Sequence, residues 1–106
     1  MNLHLVCEDS LEGIFTAIHA AFATKRPPEE IHLQLGEEGN YQFFAEYVTI
    51  APDPEKSAQT ARAAEKRFGA EAYLMLCHAL ATEDKGKAEA VYRTIIRGLA
   101  LPKPTQ

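Results

Sequence analysis

Between Leu5 and Phe22 the segment LVCEDSLEGIFTAIHAAF changes its hydrophobic period abruptly, and that change limits the folds open to the chain. Leu3, Leu5 and Cys7 alternate with Asn2, His4 and Val6, the period of two expected of a short half-buried strand. After the acidic turn Glu8-Asp9, the residues Leu11, Ile14, Phe15, Ile18 and Phe22 follow helical spacing and define one apolar face of a helix ending near Thr24. A strand running straight into an amphipathic helix must lay that helix against a sheet, so the chain is expected to mix helix and strand in one core.

The remaining elements follow from local signals. Lys25-Arg26-Pro27-Pro28 ends the helix, and the stretch to Asn40, with Gly36 and Gly39, reads as an irregular connection and the most mobile part. Tyr41 to Ala51 is dense in aromatic and β-branched residues (Phe43, Phe44, Tyr47, Val48, Ile50) and predicts a second strand able to pair with the first. Asp53-Pro54-Glu55 combines an N-cap, a proline at the first helical position and an acid near the positive helix end. A helix is therefore expected from there to Phe68, closed by Gly69. Ala70 to Ala81 is apolar almost all round, the pattern of a buried central helix. Ala88, Val91, Tyr92, Ile95, Ile96 and Leu99 form the stripe of a last helix, with Pro102 and Pro104 in a loose tail. The expected fold is α+β: a two-stranded sheet with about four helices, one domain over residues 1–101 and a flexible tail at 102–106.

Composition narrows the class. Apolar residues at 46% and charged residues at 25% match a soluble globular protein. The start carries no basic segment of a signal peptide, and no apolar run approaches the ~18 residues of a membrane span, which points to the cytoplasm. The net charge of −4 is unevenly spread: residues 1–55 carry −8 and residues 56–106 carry +4. General affinity for nucleic acid would call for a basic domain, so DNA is expected to be met only indirectly.

Two kinds of site are open to these residues. The turn Cys7 to Gly13 could offer helix N–H groups to an anion, but Glu8, Asp9 and Glu12 crowd the place where the anion would sit. The preferred reading is a cap, with Asp9 or Ser10 accepting a backbone N–H and Asp9-x-x-Glu12 resembling a capping box. Three adjacent acids do not by themselves make a cation cage. Cys7 and Cys77 lack the close pairing of a redox or zinc motif and read as reduced core residues; His4, His19, His32 and His78 are scattered. Neither a metal, nor a cofactor, nor a catalytic residue is expected, although a Cys/His pocket around His78 could still form through space. Basic pairs stand four apart at Arg62/Lys66 and Arg93/Arg97, with Glu65 and Glu89 beside them. Together with apolar Leu99 and Leu101, they are the candidate partner-binding residues.

Ser10, Glu12 and Gly13 also coincide with a motif close to Tyr-Asp-Gly-Ser/Thr-Phe-Glu-Gly, with Cys7 in place of the tyrosine and Glu8-Asp9 in place of Asp-Gly. With the Phe43-Phe44 region, the helix after Asp53, the Tyr73 to Leu80 helix and Tyr92-Arg93 in the same order, most of the chain resembles the N-terminal region of a bacterial family labelled "probable DNA metabolism protein". Members are generally longer, some carry a uracil-DNA-glycosylase-like domain, and their genes often lie beside one for a radical-SAM protein. The resemblance implies an N-terminal domain that docks on a radical-SAM partner or on its own C-terminal region in DNA repair or modification. Residue chemistry leaves the alternative of a small enzyme or ligand-binding domain built on Glu8 to Glu12 or on the Cys/His pocket.

Overall fold

The computed structural model describes residues 2–36 and 45–100. Strand β1 (Asn2–Cys7) leads through the acidic turn into helix α1 (Leu11–Ala23), as the change of period predicts. After a single 3₁₀ turn at Pro28–Glu30 comes strand β2 (Ile31–Leu35), followed by strand β3 (Ala45–Ile50). Helices α2 (Pro54–Phe68), α3 (Ala70–Leu80) and α4 (Lys87–Ala100) follow. The class is α+β, and among the described residues the sheet has three strands rather than two.

The additional strand is β2, inside the stretch read from sequence as an irregular connection. Ile31, Leu33 and Leu35 alternate with His32 and Gln34, but two prolines before them and Gly36 after them mask so short a run. Both outer strands pair with β1 in parallel, with Leu5 opposite Leu33 on one side and Val48 on the other. Parallel pairing demands a crossover, and α1 supplies it between β1 and β2. The expected strand over Tyr41 to Ala51 is observed from Ala45; its first four positions lie outside the described residues.

The helices pack on the sheet face carrying Leu3, Leu5 and Cys7. There Ile14, Phe15 and Ile18 of α1 meet Ile31 and Leu33 of β2 and Ala88, Val91, Tyr92 and Ile95 of α4 in one core. Leu11 and Phe22 of α1 are exposed, and Ala17 and Ala21 take their places at the interface. The larger correction concerns α3. Only Leu80 is buried, whereas Leu74 and Met75 are 56% and 68% exposed, because α3 packs on α2 and α4 and forms an outer wall. Sequence reasoning made it the centre of the fold.

The edge of β2 is closed by side chains of α4. Glu89 accepts from the Leu33 backbone N–H at 2.8 Å and from His32 Nδ1 at 3.1 Å. Arg93 donates to the carbonyls of Pro28 at 2.7 Å and Ile31 at 2.5 Å, and to Glu89 at 3.1 Å. On the opposite sheet face the rings of His32, His4 and Tyr47 form a column across all three strands, with centroids 5.0 and 4.7 Å apart. This spacing follows from strand separation when rings stand on paired residues.

Candidate functional site

The turn after β1 is a cap. Ser10 is extended (φ −157°, ψ 158°), and its Oγ accepts from the Gly13 N–H at 2.9 Å while donating to Glu8 Oε2 at 2.9 Å. Of the two cap candidates it is Ser10 that serves. Asp9 turns away to pair with Lys87 Nζ at 2.7 Å, and Glu12 contributes its carbonyl oxygen, which accepts from the Thr16 hydroxyl at 2.7 Å. A capping box over Asp9 and Glu12 is thus replaced by a serine cap and a tether to α4. Gly13 follows from packing: a Cβ there would meet the Glu8 carbonyl oxygen at 2.7 Å. Asp53 caps α2 as expected, its Oδ1 accepting from the N–H groups of Glu55 and Lys56 at 3.0 and 3.2 Å.

Beyond the carboxyl ends of β1 and β2 lies an open cleft of about 940 Å³, walled by the acidic turn, the end of α3 and the segment Thr82 to Lys87. Parallel sheets commonly place ligands at this end. The cleft brings together residues far apart in sequence, including Cys7, Cys77, Glu8, Asp9, Ser10 and Lys87. Most of this chemistry is already engaged. Lys87 is 6% exposed and also donates to the Thr82 carbonyl at 2.6 Å. Burial, with Asp9 nearby, pushes the Cys7 thiol up to about 11, so it is neutral at physiological pH. The pKa of the Tyr73 hydroxyl rises through burial first and through the neighbouring Cys77 second. His78 is exposed and does not line the cleft. Among the described residues, no group of three or more His, Cys, Asp or Glu side chains could hold a metal ion.

A second hollow is apolar. A groove of about 430 Å³ runs between α1, α2 and the end of α4, with Ala23, Ala63, Ala64 and Ile95 among its lining residues. The aromatic rings of Phe22 and Phe68 also face it, as does Leu99. Phe22 and Leu99 are 48% and 47% exposed. His19 Nε2 donates to Gln59 Oε1 at 2.9 Å in the lining, and Arg67, also lining it, donates to the Gly98 carbonyl at 3.2 Å.

The partner-binding candidates are dispersed over this architecture. Arg62, Lys66 and Arg97 are exposed, Leu99 lines the groove, and Leu101 lies outside the described residues. Arg93 does not join them: its guanidinium is spent on the carbonyls at the start of β2, an internal fastening. Lys87 and Glu89, the side chains that tie α4 to the turn and to the sheet, were missed as structural centres. Glu89 and Arg93 at i, i+4 were a legible pair; their backbone partners were not.

The described elements thus define an α+β protein with a small parallel sheet and a helical wall. Comparison with protein-family models, curated proteins and solved structures finds no match.

Proposed function

We propose that this chain is a noncatalytic interaction module of a cytoplasmic DNA repair or DNA modification system, docking on a radical-SAM protein or on a C-terminal continuation of its own. The observation carrying the interaction reading is α3, a helix apolar almost all round that leaves Leu74 and Met75 exposed on the outer wall. A helix of that composition is normally covered, and exposed apolar surface of this kind suits a protein interface. The system served rests on the resemblance through Ser10, Glu12 and Gly13 and the order of the later elements. Co-expression with the radical-SAM protein, or with the restored continuation, should yield a complex stable to size-exclusion chromatography that Leu74→Asp with Met75→Asp disperses. Separate elution of the wild-type chain from both would overturn the reading.

A second reading is favoured by the position of the larger cleft at the carboxyl ends of β1 and β2. There the chain would bind a small polar ligand between the acidic turn and Lys87. A thermal-shift screen of polar metabolites tests it: stabilisation lost in Lys85→Ala would support a ligand site, and an unmoved transition throughout would remove it.

A further inference from the structure

We infer that the groove between α1, α2 and α4 receives an acidic amphipathic helix of a partner protein. This deepens the interaction-module reading and rests on it. Three observations specify the occupant. The groove is floored by small residues and flanked by Phe22, Phe68 and Leu99, so it can accept large aliphatic or aromatic side chains. At about 430 Å³ it has room for several such anchors, as in helix-in-groove recognition.

Its walls are helices, whose interior backbone hydrogen bonds are made within each helix. The groove therefore presents no strand edge to an extended peptide, and it suits an occupant that satisfies its own backbone, namely a helix. Charge supplies the third constraint. Among the described residues no carboxylate lines the groove, although the chain holds 15 acidic residues against 11 basic ones. Arg67 and His19 line it, and exposed Lys66 follows Ala63 by one turn on α2. Acids flanking the anchors of an incoming helix would meet the charges of Arg67 and Lys66.

The probe is a labelled peptide with leucines at i, i+3, i+4 and i+7 and glutamates elsewhere, titrated with the full chain in fluorescence anisotropy. Controls are a scramble that breaks the apolar stripe and a version with lysine for every glutamate. The acidic helix is expected to bind at least about tenfold tighter than either control, through its apolar stripe against the scramble and through rim ion pairs against the lysine version. Ala63→Glu, at an exposed groove position, should abolish binding without moving the circular-dichroism melt, and Phe22→Asp serves as a second variant on the opposite wall. Equal binding of all three peptides, or retention of affinity by both variants, overturns the inference. Displacement of the peptide by laurate together with poor discrimination among the peptides would make the groove an amphiphile site. A concentration-dependent dimer broken by Ala63→Glu would assign it to a second copy; either result overturns the acidic-helix assignment. If Ala63→Glu spares the partner complex that Leu74→Asp with Met75→Asp disperses, only this inference falls; if no complex forms at all, the interaction reading falls first.

Discussion

The cleft at the carboxyl ends of β1 and β2 and the groove on the helical wall differ in what their side chains already do. In the cleft, residues with chemical potential hold one another: Asp9 is paired with Lys87, Ser10 is committed to its cap and Cys7 is kept neutral. In the groove, Phe22 and Leu99 remain substantially exposed. A catalogue of reactive residue types would choose the first hollow, whereas unspent contact capacity favours the second. Chemistry-bearing side chains near one another can be the fabric of a fold.

The largest expected effect concerns Cys7. With its pKa raised from the ordinary 9.0 to about 11, its alkylation by iodoacetamide at neutral pH should be about a hundredfold slower than that of an unperturbed thiol. The unfolded chain releases this proton near 9 and the folded chain near 11, so stability should fall as pH rises through that window and level off above it. Cys7→Ala should flatten that slope in denaturant melts. Rapid labelling of Cys7 would instead mark the cleft as a reactive site and reverse the comparison.

Lys87→Met should cost about 2 kcal/mol, because it removes a charge-assisted bond to the Thr82 carbonyl and the pair with Asp9. A urea midpoint unchanged by this substitution would release Lys87 from its structural role. Ser10→Ala should cost about 1 kcal/mol, the usual scale of an N-cap, with Asp9→Ala costing less because Asp9 is not the cap. Leu74→Asp and Leu99→Asp should each move stability by no more than about 0.5 kcal/mol, as expected of exposed positions, whatever they do to a partner. Duplex DNA should bind the isolated chain only weakly at physiological salt, since a net charge of −4 gains little from counterion release. Tight, salt-sensitive anisotropy lost on reversing Arg62 and Lys66 would show that direct DNA contact had been underrated.

The elements governed by local chemistry were legible in the residues. Asp53-Pro54 and Gly69 bracket α2, and the stripe through Ala88, Val91, Tyr92 and Ile95 faces the core. What escaped depends on partners distant in sequence. Ile31 to Leu35 alternates clearly, but its standing as a strand comes from β1, across more than twenty residues punctuated by prolines. Residues Leu74 and Met75 differ little in character from buried Leu80; which side of α3 faces inward is set by α2 and α4. Arg93 resembles a solvated cation until the carbonyls of Pro28 and Ile31 are placed before it. In the site, the caps at Ser10 and Asp53 could be anticipated, whereas the convergence of Cys7 and Cys77 on one cleft and of Phe22 and Phe68 on one groove required the packed structure.

The position of β1 between two later strands has a kinetic consequence. The earliest of the three described strands is the one on which both others depend, yet neither partner is available until the chain has extended through Leu35 and then Ile50. During synthesis Leu3, Leu5 and Cys7 must therefore wait without a ladder, screened at best by α1. Closing these parallel pairings requires long loops to be ordered before their contacts stabilise anything, so sheet closure should limit the folding rate. Slowing translation near Gly36 would prolong the interval in which β1 is open to the wrong partner.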